Sequence, residues 1–241
     1  MKHILAMVYA VFSHVLFGVA FVCHLAFLLE IALPVTIRIG DTKSTIVAII
    51  VNVGIIAVFG IQHSVMARPA FKKWLPIAYE RSTFVVFSSL MLLLITFMWQ
   101  PISGALWQVD SALLRGTLHG VFFAGVSLVL LSIIQIDYLS FFGLKQAYQY
   151  FAGKPITDIP FRLPLLYRLV RHPLMVGLLM MYWVTPHMTS GRLLLCIGMT
   201  TYIFVGLYFE ERDLIAKFGD DYRTYQQETP MLIPTGKNNI R

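Results

Sequence analysis

Six continuous apolar runs, near residues 4–33, 45–67, 82–99, 112–140, 173–187 and 191–210, constrain this chain more than any other feature. A helix crossing a bilayer needs about 20 largely apolar residues. Inside lipid every backbone N–H and C=O must find a partner within the protein. The runs are unbroken rather than alternating, which selects helices over a barrel. Composition agrees: 58% of the 241 residues are hydrophobic and 13% charged, against about half and a quarter in soluble domains. The expected fold is all-α, a polytopic membrane bundle of five to six spans, closed by a helical hairpin and an amphipathic C-terminal helix.

The net charge of +7 does not mark a nucleic-acid binder, because its placement follows the spans. With the runs threaded alternately, fifteen Lys and Arg fall on one side, from Lys2 through Arg68, Lys145 and Arg212 to Lys237 and Arg241. Only Arg38, Lys43, Arg115 and Arg192 fall on or near the other. The positive-inside rule then puts both termini in the cytosol. Cys23 and Cys196 both lie within apolar runs, so neither a disulfide framework nor a metal site is expected. The first run lacks a small-residue cleavage site and reads as a retained helix.

Polar residues inside the spans carry most of the functional information. His14 and His24 sit about 80° apart on the first helix, facing neighbouring helices. The external turn over 33–45 carries Pro34, Gly40 and Asp41. Span 2 ends in Gln62-His63, near its cytosolic end, followed by a basic and aromatic segment over 68–81. Span 4 carries His119 near its outer end and Gln135, Asp137 and Tyr138 near its inner end. His119 and Asp137 stand roughly 27 Å apart along the axis, so one site cannot use both. Loops longer than about a dozen residues are usually functional or disordered, and the aromatic content of 143–165 favours a folded lid. Beyond it, the runs 174–186 and 192–209 form an antiparallel hairpin across His187–Gly191. That hairpin sets Arg171, His172 and Pro173 beside Glu210 and Glu211. In the last helix, Leu214, Phe218, Tyr222 and Tyr225 recur at helical spacing. Gly219 is the point where that helix can kink, and Pro230 ends it.

Arg171-His172-Pro173, then Glu210-Glu211, then Phe218-Gly219-Asp220-Asp221-Tyr222-Arg223-Thr224-Tyr225 resemble the isoprenylcysteine carboxyl and phospholipid membrane methyltransferases. Gln62-His63-Ser64, Glu80-Arg81-Ser82-Thr83, Trp99-Gln100-Pro101, Asp137 and Phe142-Gly-Leu-Lys-Gln146 are similar to its NnrU-like branch, within it the methanethiol S-methyltransferases. Met175 departs from the broader group, many of whose members have an aromatic nearby.

The resemblance implies an integral inner-membrane enzyme that methylates a small thiol, methanethiol to dimethyl sulfide, with S-adenosylmethionine as donor and S-adenosylhomocysteine as product. It also implies one domain over 1–241: a bundle over 1–142, then a cofactor-binding loop, hairpin and final helix. Tyr167, Arg171, His172, Pro173, Tyr208, Glu210 and Glu211 would hold the donor on the cytosolic side. One glutamate would meet the donor while the other pairs with Arg212 or Arg168, since adjacent helical residues diverge by about 100°. The nucleophile is a thiolate, so His63 or Asp137 is the expected base, with Gln62, Gln135 and Tyr138 as orienting or substrate-binding groups. The partners are the thiol and the bilayer, and no metal is expected. The alternatives are a prenylcysteine, lipid or other thiol acceptor, or a non-enzymatic NnrU-like protein of nitrogen-oxide or haem metabolism.

Overall fold

A computed structural model describes residues 2–40, 44–157 and 160–234. Asp41, Lys43, Lys237 and Arg241 lie outside the described residues. Among the described residues the chain is all-α apart from one short ribbon. In order it forms α1 (Lys2–Leu29), α2 (Thr45–Ala67), α3 (Pro69–Lys72), α4 (Ile77–Met98), β1 (Ala105–Gln108), α5 (Ala112–Phe141) and α6 (Leu144–Phe151). Then follow α7 (Leu165–Leu169), α8 (Pro173–Trp183), β2 (His187–Thr189), α9 (Ser190–Phe218) and α10 (Asp220–Glu228). The strands β1 and β2 pair in a two-stranded sheet.

Five of these helices, α1, α2, α4, α5 and α9, are long and apolar enough to cross a membrane. The sixth apolar run gives a shorter helix. Its helix, α8, has 11 residues, about 16 Å at 1.5 Å per residue, roughly half the hydrocarbon thickness. Pro186 explains the early stop. A proline disfavours helical backbone in the residue before it, here Thr185, and the helix has already ended at Val184 in an extended conformation.

The chain divides into two compact units, the first being Met1–Leu106, Leu139–Ile159 and Thr189–Leu195. Within it α1 packs on α4 and α6, and α2 packs on α4. Buried polar groups tie these helices together. His24 Nδ1 lies 3.0 Å from Thr96 Oγ1, which is the interhelical bonding expected of it. Asn52 and Gln100 exchange two hydrogen bonds of 2.8 and 2.9 Å. Arg81 donates from Nε to the Phe141 carbonyl at 2.7 Å, covering the C-terminal end of α5. Gly143 follows with φ +83°, and a Cβ there would meet Ser82 Oγ at 2.6 Å. The expected lid over 143–165 begins as α6, seated on α1 and α4. His3 anchors α6 by a 2.7 Å bond to the Tyr150 carbonyl.

The second unit is Trp107–Tyr138, Pro160–Met188 and Cys196–Arg241. Its α5 and α8 meet backbone to backbone. A Cβ on Gly177 would lie 2.6 Å from the Gly125 carbonyl, and one on Gly125 would lie 2.9 Å from that of Gly177. Only glycines allow such an approach. The antiparallel pairing of α8 with α9 is fixed near the turn by Trp183 Nε1 donating to Thr200 Oγ1 at 2.8 Å. At Gly219 (φ +60°, ψ −127°) the helical path breaks and α10 begins, the kink that the sequence marks.

Candidate functional site

At the N-terminal end of α8 the sequence Val170-Arg171-His172-Pro173 leaves helical geometry. Val170 is extended and caps α7, His172 caps α8, and Pro173 opens it. Proline suits that position because its missing N–H would have no intrahelical partner. The freed N–H groups of Arg171 and His172 donate instead to the carbonyls of Pro230 and Met231, at 2.9 and 3.1 Å. A short two-bond ladder thus joins the start of α8 to the segment just after α10.

Glu211, near the far end of α9, is the centre of the cluster. Its Oε1 accepts from Arg171 Nε at 2.8 Å and from His172 Nε2 at 3.0 Å. Its Oε2 accepts from Gln226 Nε2 at 2.8 Å. The side chains of Arg171, His172 and Glu211 are 9%, 6% and 13% exposed. Because an ionised carboxylate only accepts, the proton of this bond sits on His172 Nε2, leaving Nδ1 for another partner. Arg171 Nη1 donates to the carbonyls of Gln226 and Thr229 at 3.1 and 2.6 Å. Among the described residues Arg171 Nη2 makes no hydrogen bond.

The surrounding wall is aromatic. Tyr225 Oη donates to the Tyr167 carbonyl at 2.5 Å, and the Phe161 ring lies within 5.3–6.2 Å of those of Phe218, Tyr222 and Tyr225. Burial first, then the Glu210 carboxylate and Tyr225, raises the Tyr167 phenol above its usual range, against a lowering bond to Ser132. Burial likewise leads for Tyr222, with Glu211 and Glu210 adding to it. Glu210 therefore faces the same neighbourhood while its side chain stays exposed.

The structure brings Arg171, His172, Pro173 and Glu211 together, as the hairpin reading requires, with Tyr167 beside them. Glu211 pairs with Arg171 and His172. Arg212 instead stands over the Tyr208 ring at 5.9 Å, and Arg168 Nε donates to the Leu163 carbonyl. Tyr208 itself is 62% exposed. Gln135 Oε1 accepts from the Leu166 N–H at 2.9 Å, tying the end of α5 to the start of α7. Two residues on, Asp137 interrupts the helical backbone of α5, and the exposed Tyr138 closes that part of the unit. Gln62 and His63 belong to the first unit. There Gln62 Nε2 contacts Met66 Sδ at 2.9 Å. His63 Nδ1 lies 3.1 Å from Ser88 Oγ and the ring packs edge-on against Phe84. Gln226 and the carbonyls of Thr229, Pro230 and Met231 escaped the sequence reading. The Tyr222–Tyr225 spacing marked that helix face, but nothing separated Gln226 from the other polar residues of α10.

No family model matches the chain, and no solved structure does. Curated relatives do. Methanethiol S-methyltransferase 2 of Bradyrhizobium diazoefficiens is 46% identical over 232 residues, 95% of this chain and 89% of the relative. Methanethiol S-methyltransferase of Mycobacterium tuberculosis is 42% identical over 238 residues, 97% and 98% of the two chains. Nurim of Bos taurus is 30% identical over 187 residues, 71% and 70%. With near-complete coverage at that identity, this integral membrane chain belongs to the methanethiol S-methyltransferase family.

Proposed function

We propose that the chain transfers a methyl group from S-adenosylmethionine to methanethiol, giving dimethyl sulfide and S-adenosylhomocysteine. The convergence of Arg171, His172 and Gln226 on Glu211, in a chain so close to methanethiol S-methyltransferases, carries this reading. The residues suit the donor's chemistry. The donor's α-carboxylate matches Arg171 Nη2, and His172 Nδ1, an acceptor while Nε2 carries the proton, suits its ammonium group. Glu210, exposed beside Tyr167, suits the ribose hydroxyls or the amino group. Glu211 is already held by three side chains, so its task is to fix the other two cofactor-binding groups.

When bound, S-adenosylmethionine supplies a methyl on a sulfonium with a good leaving group. The protein then has to align the acceptor and exclude water. Asp137, at the break in α5 and two residues beyond the Gln135 tether, is the group we assign to the thiol proton, with Tyr138 as its neighbour on the substrate. The sulfonium's charge also favours the thiolate. His63, held by Ser88 and Phe84, supports packing. Methanethiol is small and apolar and can enter from the bilayer. The Lys and Arg distribution supports a donor site on the cytosolic side of the inner membrane, where reporter fusions at both termini should read inside.

The test is direct. Purified protein in lipid nanodiscs, given labelled S-adenosylmethionine and methanethiol, should release labelled dimethyl sulfide to the headspace. Asp137→Asn should remove most of the rate at neutral pH, while His63→Phe should keep it. No dimethyl sulfide from protein that binds S-adenosylhomocysteine would transfer the reading to another acceptor; a fully active Asp137→Asn would remove the assigned base.

A further inference from the structure

The carboxylate at the centre of the cluster needs a holder of its own. Arg171 and His172 both approach Oε1 of Glu211 from the start of α8. Two donors on one oxygen leave the carboxylate able to swing about them unless Oε2 is held as well. Gln226 closes that freedom. It lies in α10, one residue past the buried Tyr225, and its amide nitrogen donates to Oε2 at 2.8 Å. The same residue's carbonyl accepts from Arg171 Nη1 at 3.1 Å. One residue therefore grips both members of the ion pair, the carboxylate by its side chain and the guanidinium by its backbone.

We infer that Gln226 is a positioning residue for the methyl donor: it sets the orientation of Glu211, and through Glu211 the directions of Arg171 Nη2 and His172 Nδ1. The inference rests on the donor site proposed above. Two further observations support it. Gly219 breaks the path at the end of α9 with backbone that L side chains rarely adopt, so α10 can turn its Tyr222–Tyr225–Gln226 face inward. Tyr225 then anchors that face to the Tyr167 carbonyl, fixing the reach of the neighbouring Gln226. An amide is the suitable group here. It donates to the carboxylate without adding a charge, so the pair keeps the local balance of one carboxylate against Arg171.

Gln226→Ala removes the donor to Oε2, and Gln226→Glu replaces it with a second carboxyl. Two carboxylates at that distance cannot both ionise readily, so they share a proton. Around them stand Arg171 and His172 from the start of α8, Glu210 from α9, Tyr167 from α7, and Tyr222 and Tyr225 from α10. At acidic pH the protonated carboxyl donates as the amide does. At alkaline pH the two charges repel and Glu211 turns away.

The experiment uses the full-length protein in nanodiscs and reads binding of S-adenosylhomocysteine by calorimetry, KM for each substrate, and the thermal midpoint. Gln226→Ala should weaken S-adenosylhomocysteine about tenfold, the scale of one hydrogen bond to a charged group. It should raise KM for S-adenosylmethionine in parallel, with KM for methanethiol within about twofold. Gln226→Glu should approach wild-type affinity at acidic pH and lose it as pH rises, a dependence absent from wild type and from Gln226→Ala. A purely structural role would lower the thermal midpoint and active fraction of both variants, with affinity per folded molecule unchanged, and would overturn the inference. Equal affinities at every pH would do the same. Wild-type protein that binds neither nucleoside would instead overturn the donor site itself.

Discussion

In the first unit, polar groups inside the bundle link one element to the next: His24 with Thr96, Asn52 with Gln100, Arg81 with the Phe141 carbonyl. In the second, Arg171, His172 and Gln226 all meet on Glu211. Links of this kind satisfy buried groups and fix helix register. Convergence on one carboxylate satisfies it too, and ties side chains from α8, α9 and α10 to a single point. A polar residue inside a span is therefore a poor marker of function by itself, and the pattern of its partners is a better one.

The largest expected effect is at the point of convergence. Glu211→Ala leaves the Arg171 charge buried without its carboxylate, a loss on the order of 3–5 kcal/mol for such pairs. S-adenosylhomocysteine binding, followed by calorimetry, should fall at least about a hundredfold. Arg223→Ala is the control: Arg223 and Asp220 form an ion pair whose side chains are 60% and 91% exposed, and binding should not change. If Glu211→Ala binds as tightly as wild type, the contrast between the units disappears.

Next comes packing. Gly177→Ala forces a methyl into the Gly125 carbonyl at 2.6 Å, and should cost about 1–3 kcal/mol as overpacking does. Gly54→Ala, where a Cβ meets nothing within 4 Å, should be neutral or slightly stabilising. Thermal unfolding in detergent distinguishes them. In the first unit, His24→Ala should cost about 1 kcal/mol through the lost Thr96 bond, with methyl transfer per folded molecule unchanged. A specific loss of turnover there would show that the first unit's polar groups also serve the reaction.

The smallest effect is at alkaline pH. Tyr167, Tyr222 and Tyr225 have phenols raised in the folded protein, chiefly by burial. The folded state thus keeps protons that the unfolded chain releases from about pH 10 upward. Stability is full below that point and is lost as pH rises through the folded values. Tyr222→Phe should make the alkaline decline of the thermal midpoint shallower. A midpoint equally steep in both proteins would remove Tyr222 from the titration.

Most of the spans were legible because bilayer length imposes a long unbroken apolar run, and no other structure explains so many. The run at 173–187 forms a shorter helix for a local reason. Apolar composition continues through it, but Pro186 stops the helix at Trp183, a backbone effect to which hydropathy is blind. The stretch 143–165 hid α6 because polar and aromatic residues alternate there at short range, and its helical face becomes evident only against α1 and α4.

For the candidate site, local sequence supplied Arg171-His172-Pro173 and Glu210-Glu211 together with the fold-back that joins them. It could not divide labour between the two glutamates, because one helical step of about 100° decides which turns inward. That choice belongs to the tertiary structure: Glu211 meets Arg171 and His172 while Glu210 stays exposed. Gln226 was beyond reach for the same reason. Its role depends on the break at Gly219 and on Tyr225 reaching Tyr167, contacts between residues far apart in the chain. The sequence by itself determined the membrane class and the family, since both rest on apolar length and local motifs. Which side chains hold Glu211, and in which direction, was decided only when α8, α9 and α10 packed together, because hydrogen-bond direction is set by geometry that no single segment contains.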